Sequence, residues 1–166
     1  MTDAFDDLLA ANRVYATQFH LGGLEARAAR GLAVITCIDS RIEPLAMLGL
    51  APGDAKIIRN AGARVTDDSL RSLVLAAHLL DVQRVAVVAH TDCAMAQSTE
   101  TELRAEISGL AGADASGWDF HAIADQHEVL AADLDRIREC PLLPERLVVG
   151  GFVYDVETGV LEPHGG

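Results

Sequence analysis

The chain has 166 residues, half of them hydrophobic, which suits one globular domain spanning 1–166 and is not typical of a disordered protein. Its 25 acidic and 13 basic residues give a net charge of -12, which argues against binding to nucleic acid or to anionic membranes. Three cysteines, an acidic N-terminus and only short apolar runs argue against a disulfide framework, a signal peptide and a membrane span, so we expect a cytoplasmic protein.

The first half of the chain predicts alternating helices and strands. An N-terminal helical segment is predicted over about 4–29, where Ala, Leu and charged residues recur at helical spacing. The apolar run Leu32–Cys37 predicts a buried strand, and residues 42–48 predict a short helix. Residues 56–59 predict a second strand, which is followed by a turn at 60–62.

The second half continues the alternation. Residues 66–69 are small and polar or acidic and precede apolar residues at helical spacing, which predicts a capped amphipathic helix up to residue 80. We further predict a strand at 84–89, helices at 99–110 and 121–139, and a terminal hairpin formed by 147–155 and 160–161. This order predicts an α/β fold: a mainly parallel central sheet of four strands, an antiparallel edge strand, and flanking helices.

Chemically active side chains follow two of the predicted strands. Cys37, Asp39 and Arg41 are spaced two apart, so in an extended chain they can point to the same side just past the first strand. His90 and Cys93 follow the end of another strand. Ligands of open α/β sheets bind outside the carboxyl ends of the strands, so we expect the two segments to converge on one pocket.

Two thiolates and an imidazole are a ligand set that suits zinc. A lone cysteine at the end of an apolar strand is usually a small core residue, and a lone His-x-x-Cys is a weak signal. The two together, with Cys-x-Asp-x-Arg in one of them, are much stronger. Three protein ligands with no obvious fourth indicate a catalytic site, which keeps one position for water or substrate.

Three stretches of the chain resemble the signatures of the β-class carbonic anhydrases, in particular the short, compact members of that family. They are Cys-Ile-Asp-Ser-Arg at 37–41, Arg-Asn-Ala-Gly at 59–62 and His-Thr-Asp-Cys at 90–93. The chain departs from the family at Ala89 and Ala94, where many members carry glycine.

The resemblance implies one zinc ion per chain, bound by Cys37, His90 and Cys93, with Asp39 and Arg41 as a catalytic dyad. The implied reaction is the reversible hydration of carbon dioxide to bicarbonate and a proton by zinc-bound hydroxide. Two thiolates cancel the formal charge of the metal, so we expect the hydroxide to form only above neutral pH. If the dyad opens, Asp39 could become a fourth ligand and close the site.

Other residues carry weaker expectations. Asn60, Ala61 and Gly62 either shape the floor of a substrate pocket with backbone groups or form an ordinary tight turn. Asp92 is either an acceptor behind the metal ligands or solvent-exposed, and His78 is expected to be a packed core histidine. The N-terminal segment leaves apolar surface to cover, and the resemblance implies a homodimer, with a tetramer left open.

Two alternatives to carbonic anhydrase activity stay open at this point. The first is a carbonyl sulfide or carbon disulfide hydrolase on the same scaffold, since both substrates are linear heterocumulenes like carbon dioxide. The second is a non-catalytic zinc protein whose site is closed permanently by Asp39. The pairing of Asp39 with Arg41 argues against it, because a permanent ligand needs no competing arginine.

Overall fold

A mixed five-stranded sheet forms the centre of the structure, a computed structural model that describes residues 4–165. Within that range the strands lie in the order β2-β1-β3-β4-β5. Their bounds are β1 Leu32–Cys37, β2 Ala55–Asn60, β3 Arg84–His90, β4 Val148–Tyr154 and β5 Leu161–Pro163. The first four strands are parallel and β5 is antiparallel to β4, which confirms the predicted fold class.

The helices are α1 (Asp6–Thr17), α2 (Pro44–Met47), α3 (Asp67–Leu79), α4 (Glu100–Ala111) and α5 (Gln126–Arg138), with short 3-10 turns at Ala61–Ala63 and Ala94–Ala96. The side chains of Thr66, Thr99 and Asp125 cap α3, α4 and α5 by accepting hydrogen bonds from backbone N–H groups of the first turn. From residue 4 to residue 165, no helix is both long enough and apolar enough to cross a bilayer.

The N-terminal helical segment is shorter than the sequence predicts. Helix α1 ends at Thr17, and residues 18–29 are not helical. None of the residues of α1 is buried, so the helix lacks the tertiary packing that usually stabilises additional helical turns. The backbone N–H groups of Ala28 and Ala29 instead donate to the carbonyls of Leu80 and Gly53, which ties this stretch to neighbouring loops.

Two further expectations need correction. Helix α5 begins at Gln126 and not at residue 121, because the Asp125 carboxylate accepts the N–H groups of His127 and Glu128 and so fixes the start. The interpretation of His78 as a core residue was wrong: its side chain is exposed, and Nε2 lies 2.8 Å from the carbonyl oxygen of Leu142.

The core lies on both faces of the two central strands. Strands β1 and β3 are almost fully buried, and each buried Val or Ile side chain stabilises the fold by about 1.5–3 kcal/mol. Helix α5 packs closely on β4 at Gly151, where a Cβ atom would lie 2.7 Å from Leu134 Cδ1. The carboxyl ends of β1 and β3 are therefore held in place by a well-packed platform.

Candidate metal centre

Three potential metal ligands converge at the carboxyl ends of β1 and β3. Cys37 is the last residue of β1, His90 is the last residue of β3, and Cys93 follows after a short turn. The two strands are adjacent and parallel, so their ends lie at the same edge of the sheet. One ligand atom from each residue lies within 4.8 Å of the others, and the residues are only 4%, 1% and 3% exposed.

The imidazole of His90 is oriented as a metal ligand. Its Nδ1 lies 2.8 Å from the carbonyl oxygen of Thr91, which can only accept, so Nδ1 carries the proton and Nε2 presents a lone pair. Nε2 is buried and has no hydrogen-bond partner among the described residues. Burial lowers the pKa of His90, which favours the neutral, ligating form. A cation at Nε2 would satisfy this otherwise orphaned atom.

The two buried thiols also favour a cation at this position, because their ionisation depends on a nearby positive charge. Burial raises the pKa of the Cys93 thiol, and the nearby Cys37 raises it further. Two thiolates in a buried site are stable only beside a positive charge, so this donor set fits a metal ion that prefers sulfur and nitrogen.

Gly62 brings a backbone hydrogen-bond donor to the three candidate ligands Cys37, His90 and Cys93. Its N–H lies 3.3 Å from Cys37 Sγ, and its φ of +81° is in the left-handed region that glycine adopts without strain. A Cβ atom here would lie 3.2 Å from Ile123 Cδ1. Glycine therefore allows the turn at 61–63 to approach the sulfur closely.

Asp39 and Arg41 form an ion pair next to the cluster. Arg41 donates from Nη2 to Asp39 Oδ2 at 2.7 Å and from Nε to Oδ1 at 3.0 Å, and its backbone N–H donates to Oδ1 at 2.9 Å. The Arg41 side chain, followed by its backbone N–H, holds the pKa of Asp39 well below its usual range. Asp39 is therefore ionised at neutral pH, and both of its carboxylate oxygens are engaged by Arg41.

Two residues support the site through backbone carbonyls. Arg59 donates from Nε to the oxygen of Cys37 at 2.8 Å and from Nη2 to that of Asp39 at 2.7 Å. Gln126, at the start of α5, donates from Nε2 to the oxygen of His90 at 2.6 Å. The sequence carries no signal for Gln126, because 36 residues separate it from its partner. Arg59 lies in the stretch 59–62 that resembles a family signature, but its contacts depend on the register between β1 and β2.

The residues at 60–62 lie against the candidate ligands, and the side chain of Asn60 stabilises the turn. Asn60 donates from Nδ2 to the Arg64 carbonyl and to Ser69 Oγ, and its Oδ1 accepts the Arg64 N–H. Asn60 is the sheet partner of Cys37, and Gly62 donates its backbone N–H to the sulfur atom of Cys37. Contact of Asn60, Ala61 and Gly62 with a substrate stays a prediction.

Comparisons with known proteins agree with this architecture. A family model described as carbonic anhydrase matches residues 32–111. The β-carbonic anhydrase 1 of Mycobacterium tuberculosis is 36% identical over 156 residues, which cover 94% of each chain. A carbon disulfide hydrolase of Acidianus is 32% identical over 152 residues, covering 78% of this chain and 74% of that one.

A solved structure extends the similarity to the whole fold. The crystal structure of a carbonic anhydrase from Streptococcus mutans superposes with a TM-score of 0.93, at 35% sequence identity and with 99% of both chains covered. The matched segment contains the Cys-His-Cys cluster, whose donor set suits a metal ion. The chain belongs to the β-carbonic anhydrase family.

Proposed function

We propose that the protein catalyses the reversible hydration of carbon dioxide to bicarbonate and a proton, with one zinc ion per chain held by Cys37, His90 and Cys93. The observation that carries the proposal is the buried, orphaned Nε2 of His90 beside two buried sulfur atoms. When bound, zinc would supply the acidity that allows a water molecule to lose a proton near neutral pH.

The dyad residues have separate roles in this proposal. Asp39, ionised at neutral pH, accepts a hydrogen bond from the attacking water and so orients a lone pair toward the carbon of the substrate. Arg41 holds both carboxylate oxygens and keeps Asp39 from turning into a fourth metal ligand. Apolar side chains around the ligands, among them Ile42 and Ile123, limit access of bulk water.

Stopped-flow measurement of carbon dioxide hydration tests this proposal. Protein with one zinc per chain is expected to turn over at about pH 8.5 and more slowly at about pH 7, because the two thiolates reduce the acidifying effect of the metal. A rate already at its plateau at about pH 6.5 would contradict that pH dependence. Absence of turnover at both pH values would contradict the function itself.

Carbon disulfide or carbonyl sulfide hydrolysis is the second candidate, favoured by the similarity to the Acidianus carbon disulfide hydrolase. Both molecules are linear and electrophilic at carbon, as carbon dioxide is, so the same residues could bind and orient them. The release of hydrogen sulfide from either compound, measured on the same zinc-quantified protein, tests this candidate. A faster rate with a sulfur compound than with carbon dioxide would reverse the order of the two proposals.

A permanently closed, non-catalytic site is disfavoured by the position of Asp39. Three hydrogen-bond donors of Arg41, its backbone N–H, Nε and Nη2, hold the carboxylate. A closed site would require that all of these bonds break. This proposal therefore ranks below the two enzymatic ones.

We also propose that the protein is a homodimer in which α1 covers part of the partner subunit. None of the residues of α1 is buried, and the helix exposes the large apolar residues Leu8, Leu9, Val14 and Tyr15. Several large exposed apolar side chains on one helix are typical of an interaction site. A second copy of the chain is the partner that is always present, and symmetric dimers are the commonest assemblies.

Placing charges on α1 is expected to weaken the dimer. Leu8 and Tyr15 are seven residues apart and share one helix face, so the double variant Leu8→Glu/Tyr15→Glu should sediment as a monomer at micromolar concentration. Leu110→Glu, at a still more exposed position on α4, is the control and should leave the dimer intact. A wild-type protein that is monomeric at micromolar concentration would contradict the proposal.

A further inference from the structure

Arg41 has a second acidic partner beyond the dyad. It donates from Nη1 to Asp92 Oδ2 at 2.8 Å and from Nη2 to the backbone oxygen of Asp92 at 3.0 Å. Asp39 occupies the other edge of the guanidinium, through Nε and Nη2. Since the guanidinium has five N–H donors, both acids can be satisfied at once, and they hold the group on two edges.

Asp92 is itself fixed in an unusual backbone conformation. Its φ is +52°, in the left-handed region that Asp and Asn tolerate better than most residues. Its Oδ1 lies 3.3 Å from Nε2 of Gln97, which orients the carboxylate toward Arg41. In the sequence, Asp92 lies between His90 and Cys93. The turn that connects two candidate metal ligands therefore also carries an anchor for the arginine of the dyad.

We propose that Asp92 is a positioning residue of this site: it anchors Arg41 and thereby keeps Asp39 oriented and away from the metal. The inference rests on the proposed function for its catalytic consequence, although the anchoring of Arg41 can be tested without it. If Asp92 is lost, the guanidinium can rotate around its flexible stem, and its bidentate contact with Asp39 becomes less occupied.

The expected effect is moderate because the contact is partly solvated. The side chains of Arg41 and Asp92 are 44% and 63% exposed, so water screens their interaction. The backbone oxygen of Asp92 remains a partner of Arg41 after any side-chain substitution. We therefore expect loss of the Asp92 side chain to lower kcat/KM for carbon dioxide moderately. Loss of the Asp39 carboxylate should lower it much more.

Two substitutions test the anchor without straining the backbone. Asp92→Asn removes the charge and keeps the shape, and Asp92→Gly removes the side chain, and both residues accept a positive φ. Asp68→Asn is the matched control, since Asp68 binds Arg71 in an exposed ion pair on α3. The first readout is hydrogen exchange at Arg41 Nε–H, followed by NMR. The second readout is kcat/KM for carbon dioxide, measured on zinc-quantified protein.

We expect both Asp92 variants to accelerate exchange at Arg41 Nε–H by about three- to tenfold and to lower kcat/KM by a similar factor, with the larger effect in Asp92→Gly. Asp68→Asn should change neither. Unchanged exchange in both variants would overturn the anchor, and faster exchange with an unchanged rate would overturn its influence on the dyad. If the wild type does not hydrate carbon dioxide, the proposed function fails, and the exchange measurement still decides whether Asp92 anchors Arg41.

Discussion

Replacing Cys93 by alanine is expected to yield a folded protein that has lost its zinc and has lost carbon dioxide hydration by more than about a thousandfold. Among residues 4–165 the cluster supplies three candidate ligands, so the loss of one leaves an incomplete set for a thiolate-preferring metal. The substitution itself removes one buried sulfur atom and should cost about 1 kcal/mol of folding free energy.

The third cysteine provides the control for this experiment. Cys140 is partly buried, follows α5 and is not one of the three candidate ligands. Cys140→Ala should keep one zinc per chain and the wild-type rate, as measured by mass spectrometry of the native protein and by stopped-flow assay. Retention of both zinc and turnover in Cys93→Ala would show that the metal is held elsewhere, and would refute the ligand set.

Asp39→Asn is expected to retain zinc and to lose carbon dioxide hydration by about a hundredfold or more. The amide keeps the size of the carboxylate but removes its charge, so Arg41 loses its ionic partner and the water loses its orienting acceptor. Stopped-flow rates across about pH 6 to 9 and the zinc content of the same sample decide the outcome. Asp68→Asn, which alters another Asp–Arg ion pair, should have the wild-type rate.

The pH dependence separates Asp39 from the other ionisable groups. The pKa of Asp39 is lowered in the folded protein, so its ion pair stabilises the fold above the unfolded value of about 3.9. That contribution is lost only as the pH falls through the lower, folded value. Protonation of Asp39 therefore cannot cause a rate change between about pH 6 and 9. An Asp39→Asn protein that keeps more than about a tenth of the wild-type rate of carbon dioxide hydration would refute the proposed role of Asp39.

Local sequence patterns predicted most of the fold. The apolar β-branched runs at 32–37 and 84–89 became the two central strands β1 and β3, because continuous burial on both faces leaves a clear signal. Helix α3 began where Thr66 could cap it. The start of α5 was missed, because residues 121–124 contain no glycine or proline that separates them from the helix, and the cap at Asp125 was not recognised.

The candidate site could be predicted where its residues follow strand ends, and not where its contacts depend on tertiary structure. Cys37, His90 and Cys93 converge as expected, because adjacent parallel strands bring their carboxyl ends together. The ion pair between Arg41 and Asp92 joins residues 51 positions apart, and no periodicity reports such a contact. Gln126 was missed for the same reason.

The location of the candidate ligands at the ends of buried strands has a consequence for how this family diverges. Cys37 and His90 terminate strands whose register is set within a core of buried apolar side chains. The connections at Ala61–Ala63 and 121–125, by contrast, lie outside the strands and contribute Gly62 and Ile123 to the surroundings of the candidate ligands. Substitutions in such connections can therefore change what surrounds the candidate ligands, while the strand ends keep those ligands together. Members of one family could thus come to act on different substrates with the same fold.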